Sequence, residues 1–387
     1  MEYDFSRVER RGTDCLKFDF APERGKRKDC LSYWVADMDF KTAPEVLDEL
    51  HKRVDHGIFG YTNIKRPYFD AVARWQSEHF GYEVRREWMV ETPGVVFALY
   101  TAVHAFTKPG EAVLVQPPVY YPFLHSAEQT GRRLVENPLV WRGTRYEVDF
   151  DDFEQKIADN GVKLFLLCNP HNPGGTSWTK GELERMADIC LRHGVTVASD
   201  EIHSDFVWRP QQHTVFASIS PEVERITVTC TSPSKSFNLA GLQVSNIFIA
   251  DRDKRKAFKA ARDATGYDEP GVLGLVAAQA AYEKGGAWLD AAKRVIEANL
   301  EDAVRYIGDH GGGKVTCQKP QATYLLWLDY RAAGCSDEEL NARVDKANVW
   351  LDAGNVFGRG GELFLRVNAA TTWEYLERGL LRLCALF

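Results

Sequence analysis

One lysine, Lys235, stands in the run Thr231-Ser-Pro-Ser-Lys-Ser-Phe-Asn-Leu-Ala-Gly-Leu242, directly after the apolar stretch Ile226–Cys230. A strand that ends on a loop of small hydroxylated residues can confine an amine. Burial favours the neutral amine, and only a neutral amine attacks a carbonyl. The chemistry this suggests is a Schiff base with an aldehyde. A lone lysine in a serine-rich loop is ordinarily a solvated surface charge, but two segments upstream change its meaning. In Leu166-Leu-Cys-Asn-Pro-His-Asn-Pro-Gly-Gly175, Asn172 follows the apolar run Val162–Leu167. In Val195-Thr-Val-Ala-Ser-Asp-Glu-Ile-His203, Asp200 ends a second such run.

Ligands of parallel sheets bind beyond the carboxyl ends of the strands. Asn172, Asp200 and Lys235 each follow a strand of their own, so one rim can hold all three. Pyridoxal 5′-phosphate requires an acid to keep its pyridinium nitrogen protonated, an amide to donate to its ring oxygen, and an amine to bond its aldehyde. Each residue also has a plainer reading. Aspartates after strands often cap helices, and Asn-Pro-Gly-Gly is strong turn chemistry. Glu201 reads as a solvated or structural neighbour.

The elements that must position these residues alternate. β-rich runs at Ala112–Gln116, Val162–Cys168, Val195–Ser199, Ile226–Cys230 and Asn246–Ala250 are interleaved with helical patterns. That alternation predicts an α/β layer structure with a mostly parallel sheet. Helices are expected over Ala43–Gly57, Pro67–Phe80, from Gly94 to Phe106, and after Thr179. A long one runs from about Gly286 to His310, where Gly311-Gly-Gly313 ends it. Strand-like Ala322–Leu328, a helix after Ser336, strand-like Glu362–Val367 and a helix from Thr371 read as a smaller α/β unit. Residues 1–40 read as irregular and charged.

Composition narrows the classes. A chain of 387 residues with 44% hydrophobic and 27% charged residues is of the globular kind and long enough for more than one unit. The net charge of −7 comes without a long basic run, so nucleic acid has no electrostatic footprint. No stretch of about eighteen apolar residues occurs, which argues against a membrane span. The acidic start Met-Glu-Tyr-Asp-Phe has no apolar signal region, and a cytoplasmic protein is expected. Eight scattered cysteines without Cys-x-x-Cys pairs read as buried thiols rather than disulfides or zinc ligands. The histidines are dispersed, and no metal site is expected. Gly311–Gly313 lacks the spacing of a dinucleotide loop.

In their order, the runs CNPHNPGG, SDEIHSDF and TSPSKSFNLAGL resemble the fold-type-I pyridoxal-phosphate enzymes, whose fold is like that of aspartate aminotransferase. Trp34-Val-Ala-Asp-Met-Asp-Phe40 and Phe59-Gly-Tyr61 resemble the cystathionine β-lyase/C–S lyase branch (the MalY/PatB-like lyases) more than ordinary aminotransferases. The likeness runs from about Trp34 to Asn368.

The resemblance implies roles. Lys235 becomes the Schiff-base lysine and the base that moves the Cα proton. Asp200 becomes the pyridinium partner. Asn172 bonds the ring oxygen and helps orient the substrate carboxylate. His203 lies toward the ring oxygen or, equally, bonds backbone at a strand end. Tyr120, rather than the adjacent Tyr121, stacks on the ring. Gly94, Val95 and Val96 open a helix whose free amides suit a phosphate, with Ser232 and Ser234 as hydroxyl donors. Arg366, in Leu363-Phe-Leu-Arg-Val-Asn368, clamps the substrate carboxylate through two parallel hydrogen bonds; its alternative is a surface arginine on an edge strand. Asp37 is placed near the leaving group.

Tyr61 reaches the phosphate of a neighbouring subunit, which makes the protein a homodimer with shared sites. Residues 1–42 are implied to pack with a small domain of residues 286–387, beside a large domain of residues 43–285. One departure stands out. Where many aminotransferases carry an arginine eight residues after the lysine, this chain has Gln243. The implied activity is α,β-elimination of S-substituted cysteines to thiol, pyruvate and ammonia. An aminotransferase, or a regulatory protein that keeps the fold, are the other readings.

Overall fold

In the computed structural model, which describes residues 3–387, seven strands form the main sheet. They are β1 (Met89–Thr92), β2 (Ala112–Val115), β3 (Arg133–Glu136), β4 (Leu164–Cys168), β5 (Thr196–Asp200), β6 (Thr227–Thr231) and β7 (Ser245–Phe248). Their spatial order is β1-β7-β6-β5-β4-β2-β3. Strands β2 to β6 run parallel, and β7 alone is antiparallel to its neighbours β1 and β6. The mostly parallel α/β sheet expected from the alternation is therefore present.

The five strands anticipated are all found, shifted by one or two residues. The two not anticipated, β1 and β3, are the edges of the sheet. Central β2, β4, β5 and β6 are buried on both faces and read as apolar runs, as two-sided burial demands. Edge β3 carries an exposed arginine and two half-buried residues, so its composition gives no such signal.

Local chemistry starts and stops the helices where expected. Thr179 caps Lys180–His193 with a reciprocal capping box to Glu182, which leaves two otherwise orphan amides satisfied. Proline opens Pro44–His56, and Gly57 closes it at φ 75°, a left-handed conformation that glycine adopts without strain. The long helix spans Gly286–His310.

The C-terminal region carries a three-stranded antiparallel sheet. Its strands are β8 (Leu325–Asp329), β9 (Asp352–Ala353) and β10 (Phe364–Asn368), in the order β8-β10-β9. Arg366 is thus on a central strand, not an edge. The segment read as irregular supplies a short strand of its own: Leu31–Ser32 pairs in parallel with Val349–Trp350. Trp34 stacks on Trp350 at 4.7 Å beside it. One apolar cluster joins both regions, including Phe237, Trp288, Leu325 and Leu376. Full burial of a side chain such as Leu376 contributes about 1.5–3 kcal/mol.

Candidate active site

Register brings the site together. Cys168 pairs with Asp200 and Asp200 with Cys230, so β4, β5 and β6 end level. The loops that follow them deliver Asn172, His203 and Lys235 to one rim. There a cavity of about 260 Å³ is lined by Lys235, Asp200, Asn172, His203, Tyr120 and Arg366, among others.

Lys235 lies in the single helical turn Pro233–Ser236 that follows β6. Ser232 caps that turn by accepting the Ser234 amide at 3.1 Å. Ser236 donates to the buried Asp205 carboxylate, which also accepts from Trp75 Nε1 at 3.2 Å. So braced, Lys235 Nζ donates to the carbonyl of Ala36 at 2.7 Å. Burial pushes its pKa down to about 8; Asp37 and Asp200 pull upward and Arg366 pulls downward. A lysine near 8 supplies neutral amine at physiological pH, as a nucleophile and proton carrier must.

Asp200 is shifted the other way. Burial raises it to about 7, against the Ile202 amide at 3.1 Å and the nearby Lys235. A buried acid so short of positive charge suits a cationic partner. Its neighbour Glu201 is structural but not solvated. It is buried, with Oε1 accepting from Ser199 Oγ at 2.8 Å and from the Phe216 amide at 3.0 Å. Its Oε2 meets His213 Nε2 at 2.8 Å. His203 is buried in the cavity wall, and its Nδ1 has no hydrogen-bond partner. Burial, then Lys235 and Arg366, hold its pKa well below the usual value.

Arg366 is buried and already organised. Nη1 donates to Asn172 Oδ1 at 2.9 Å and Nη2 to the Trp34 carbonyl at 2.8 Å. It also pairs with Asp352, while its Nε lacks a partner. Asn172 in turn accepts the Tyr120 amide on its own carbonyl at 3.1 Å, which ties the tyrosine to the asparagine loop. Burial raises the Tyr120 hydroxyl pKa, so the ring stays neutral. Pro93 and Gly94 to Val96, Ser232, Ser234 and Gln243 line the same cavity. Gly94 precedes the helix Val95–Phe106, whose first amides are unpaired by helix geometry.

Two expected residues lie elsewhere. Asp37 does not line the cavity. Its carboxylate is engaged by Arg10 Nη2 at 2.7 Å and Lys17 Nζ at 3.4 Å, so it acts on Lys235 only through space. Tyr61 is 97% exposed and is not part of this chain's own cavity. Residues that sequence reasoning passed over include Asp352, Tyr324 and the Ala36 carbonyl. Tyr324 donates to that carbonyl at 2.9 Å. Nothing in their local patterns marks them, because each acts through a fold contact with a remote segment.

The donor set fits pyridoxal phosphate. The amine is shifted toward neutrality, burial raises the acid, His203 Nδ1 is orphaned, and the helix opening at Gly94 to Val96 lines the same cavity as Ser232 and Ser234, although the Ser232 hydroxyl already donates to the Val244 carbonyl at 2.7 Å. An added side chain at Gly94 would meet no protein atom within 4 Å, so the space beside it is open.

Comparison with known proteins agrees with this geometry. Residues 32–383 match the family model for aminotransferase class I and II. Cystathionine beta-lyase PatB of Bacillus subtilis is 46% identical over 386 residues, 100% of this chain and 99% of PatB. Protein MalY of Escherichia coli is 35% identical, covering 98% of this chain and 97% of MalY. The crystal structure of cystalysin from Treponema denticola, which contains pyridoxal 5′-phosphate, superposes with a TM-score of 0.96 at 34% identity. That match covers 100% of this chain and 99% of cystalysin.

Proposed function

The chain belongs to the class I and II aminotransferase family, with pyridoxal 5′-phosphate as its cofactor, and from that premise we propose that it is a carbon–sulfur β-lyase of cystathionine and other S-substituted cysteines. The observation that carries the reading is the convergence of Lys235, Asp200, Asn172 and Arg366 on one buried cavity. Full-length likeness to a cystathionine beta-lyase supports elimination over amino-group transfer.

Bound pyridoxal phosphate supplies an aldehyde that couples to amines and a ring that accepts an electron pair from Cα. Lys235 would hold the aldehyde, Asp200 the ring nitrogen, and Asn172 with His203 the ring oxygen. Tyr120 would cover the ring face. The amides of Gly94 to Val96 and the hydroxyls of Ser232 and Ser234 would hold the phosphate. Gln243 adds no positive charge there, unlike the arginine of the aminotransferase pattern.

Arg366, steadied by Asn172 and Asp352, binds the substrate carboxylate and so sets which bond at Cα faces Lys235. The Lys235 amine, freed when the substrate amine takes its place on the aldehyde, would then remove the Cα proton, and thiolate would leave from Cβ. With one water the products balance as thiol, pyruvate and ammonia.

Tyr61, exposed together with Ile58 and Phe59, is assigned to the site of a second copy, in a homodimer. Residues 1–42 are grouped with 286–387 on the strand pair Leu31–Ser32 and Val349–Trp350, apart from residues 43–285. A cytoplasmic setting accords with the absence, among the described residues, of any helix long and apolar enough to cross a membrane.

The test is pyruvate and thiol formation from cystathionine without a keto-acid acceptor. Acceptor-dependent amino transfer with no pyruvate would replace this reading with the aminotransferase one.

A further inference from the structure

Lys17 is buried to 2% exposure and has no part in the reaction above. Its Nζ lies 2.9 Å from Asp39 Oδ1 and 3.4 Å from Asp37 Oδ1. Arg10 reaches the same two carboxylates, at 2.7 Å to Asp37 and 3.5 Å to Asp39. Arg7 stands 3.7 Å from Asp39. Burial opposes the charge on Lys17, but Asp39 and Asp37 outweigh it and raise its pKa. Burial likewise opposes the charge on Asp37, and Lys17 and Arg10 outweigh it and lower its pKa. Both therefore stay ionised.

These two aspartates flank a ribbon that is fastened from both sides. Asn368 Nδ2 donates to the Val35 and Asp37 carbonyls at 2.7 and 2.6 Å. Asn238, three residues after Lys235, donates to the Met38 and Phe40 carbonyls at 3.0 and 2.9 Å. The Asp39 amide donates to the Ala370 carbonyl at 3.0 Å. Within the ribbon, the Ala36 carbonyl accepts from both Lys235 Nζ, at 2.7 Å, and the Tyr324 hydroxyl, at 2.9 Å. Buried charges are costly unless they are paired. Here three cations, Arg7, Arg10 and Lys17, surround two carboxylates, and Asp37 is placed one residue from the carbonyl that receives the Lys235 amine.

We propose that Lys17 is a positioning residue for Lys235: by holding Asp37 and Asp39 it fixes the Ala36 carbonyl and the negative charge that together aim the amine and set its affinity for a proton. The inference rests on Lys235 being the cofactor lysine. Lys235 faces Asp37 and Asp200 as negative groups and Arg366 as a positive one. His203 and the Tyr324 hydroxyl stand close by.

The signs follow from charge. Lys17→Met removes a cation and leaves Asp37 ionised by Arg10, so the Lys235 nitrogen holds its proton more tightly. Asp37→Asn removes the anion, so the nitrogen releases its proton more easily. The Asp37→Asn shift should be about one pH unit, the size of one charge at an effective dielectric of roughly 20 to 40; Lys17→Met, which acts through Asp37 rather than facing Lys235 itself, should give a smaller shift in the opposite direction. Lys17→Arg keeps the charge and should stay near wild type. Misaligning the amine should also lower kcat/KM of Lys17→Met by about 10- to 100-fold.

The experiment is a pH titration of the visible band of the lysine-linked cofactor in holoenzyme, with pH profiles of kcat/KM alongside. Midpoints that move up for Lys17→Met and down for Asp37→Asn support the proposal. Unmoved midpoints, or shifts in the same direction, reduce Lys17 to a structural residue and overturn it. If Lys17→Met does not fold, Asp37→Asn decides: a downward shift supports the proposal, and a wild-type midpoint overturns it. A wild-type protein with no such band would sink the parent reading as well, whereas a normal band with unmoved variants sinks this inference alone.

Discussion

Two buried ionisable clusters, one ribbon apart, behave in opposite ways. Around the cavity, Lys235 is pushed down to about 8 and Asp200 up to about 7. Beneath it, Lys17, buried more deeply than Lys235, is raised and Asp37 lowered. Burial acts alike on both. The difference is pairing: Lys17 has a carboxylate at 2.9 Å, whereas Lys235 has only a carbonyl at 2.7 Å. A carbonyl accepts a hydrogen bond but brings no net charge to offset desolvation. The lower cluster is locked in one charge state and the upper one is poised between two. Function needs the poised cluster, and the locked one holds it in place.

The strongest way to break this contrast is Lys235→Ala. Loss of the only lysine lining the cavity among the described residues should lower kcat by about 10³-fold or more and remove the borohydride-fixed cofactor from the Lys235 peptide, as read by mass spectrometry.

Asp200→Asn comes next. Turnover should fall by about 10²- to 10⁴-fold, measured as pyruvate released from a saturating substrate. Its effect on stability should be the reverse. The folded-state pKa of Asp200 lies above its unfolded value, so its ionisation opposes folding. The stability that its neutral form contributes is full below the ordinary carboxylate value and is lost progressively as pH rises from there to about 7, where the loss is complete. The asparagine variant should therefore gain stability over wild type as cofactor-free protein at pH 8, on the order of 2–4 kcal/mol, and nothing at pH 4. Denaturant melts at the two pH values check this. An equal gain at both would mean that Asp200 is not poised.

Arg366→Lys sharpens the contrast within the cavity. It keeps the charge but gives up the planar fork that reaches Asn172 and the Trp34 carbonyl. KM should rise by about 10- to 100-fold, with a smaller change in kcat. Cofactor uptake by apoprotein should also rise with pH and level off above about 8, where the Lys235 amine is neutral; a flat profile would contradict its lowered pKa. The smallest effect belongs to a residue outside both clusters. Thr179→Ala removes a capping box and should cost about 1 kcal/mol of stability without moving any kinetic constant.

The residues on strand ends were legible in the sequence because strand and loop are both local signals. An apolar run followed by Asp200, or by the Ser232–Ser236 loop, states its own geometry. Arg366 was legible for a related reason, since an arginine flanked by apolar residues on a short strand is seldom on the surface. Of the two readings of Glu201, solvated or structural, the structural one holds; the sequence left them open because its partners Phe216 and His213 lie twelve or more residues away. The ion pairs of Asp37 were not legible for the same reason: its partners Arg10 and Lys17 come from a stretch with no periodicity to read. Cys384, expected to be buried, is only partly so.

What the sequence determined by itself was the order of chemistry along the chain: an amide, an acid and an amine, each after its own strand, and the α/β alternation that brings strand ends to one rim. What only the tertiary structure decided was the charge state of that chemistry. Proton affinity depends on desolvation and on charges several ångströms away in space. Lys17, Arg10 and Arg366 reach the site from segments hundreds of residues apart, and no local pattern encodes that meeting.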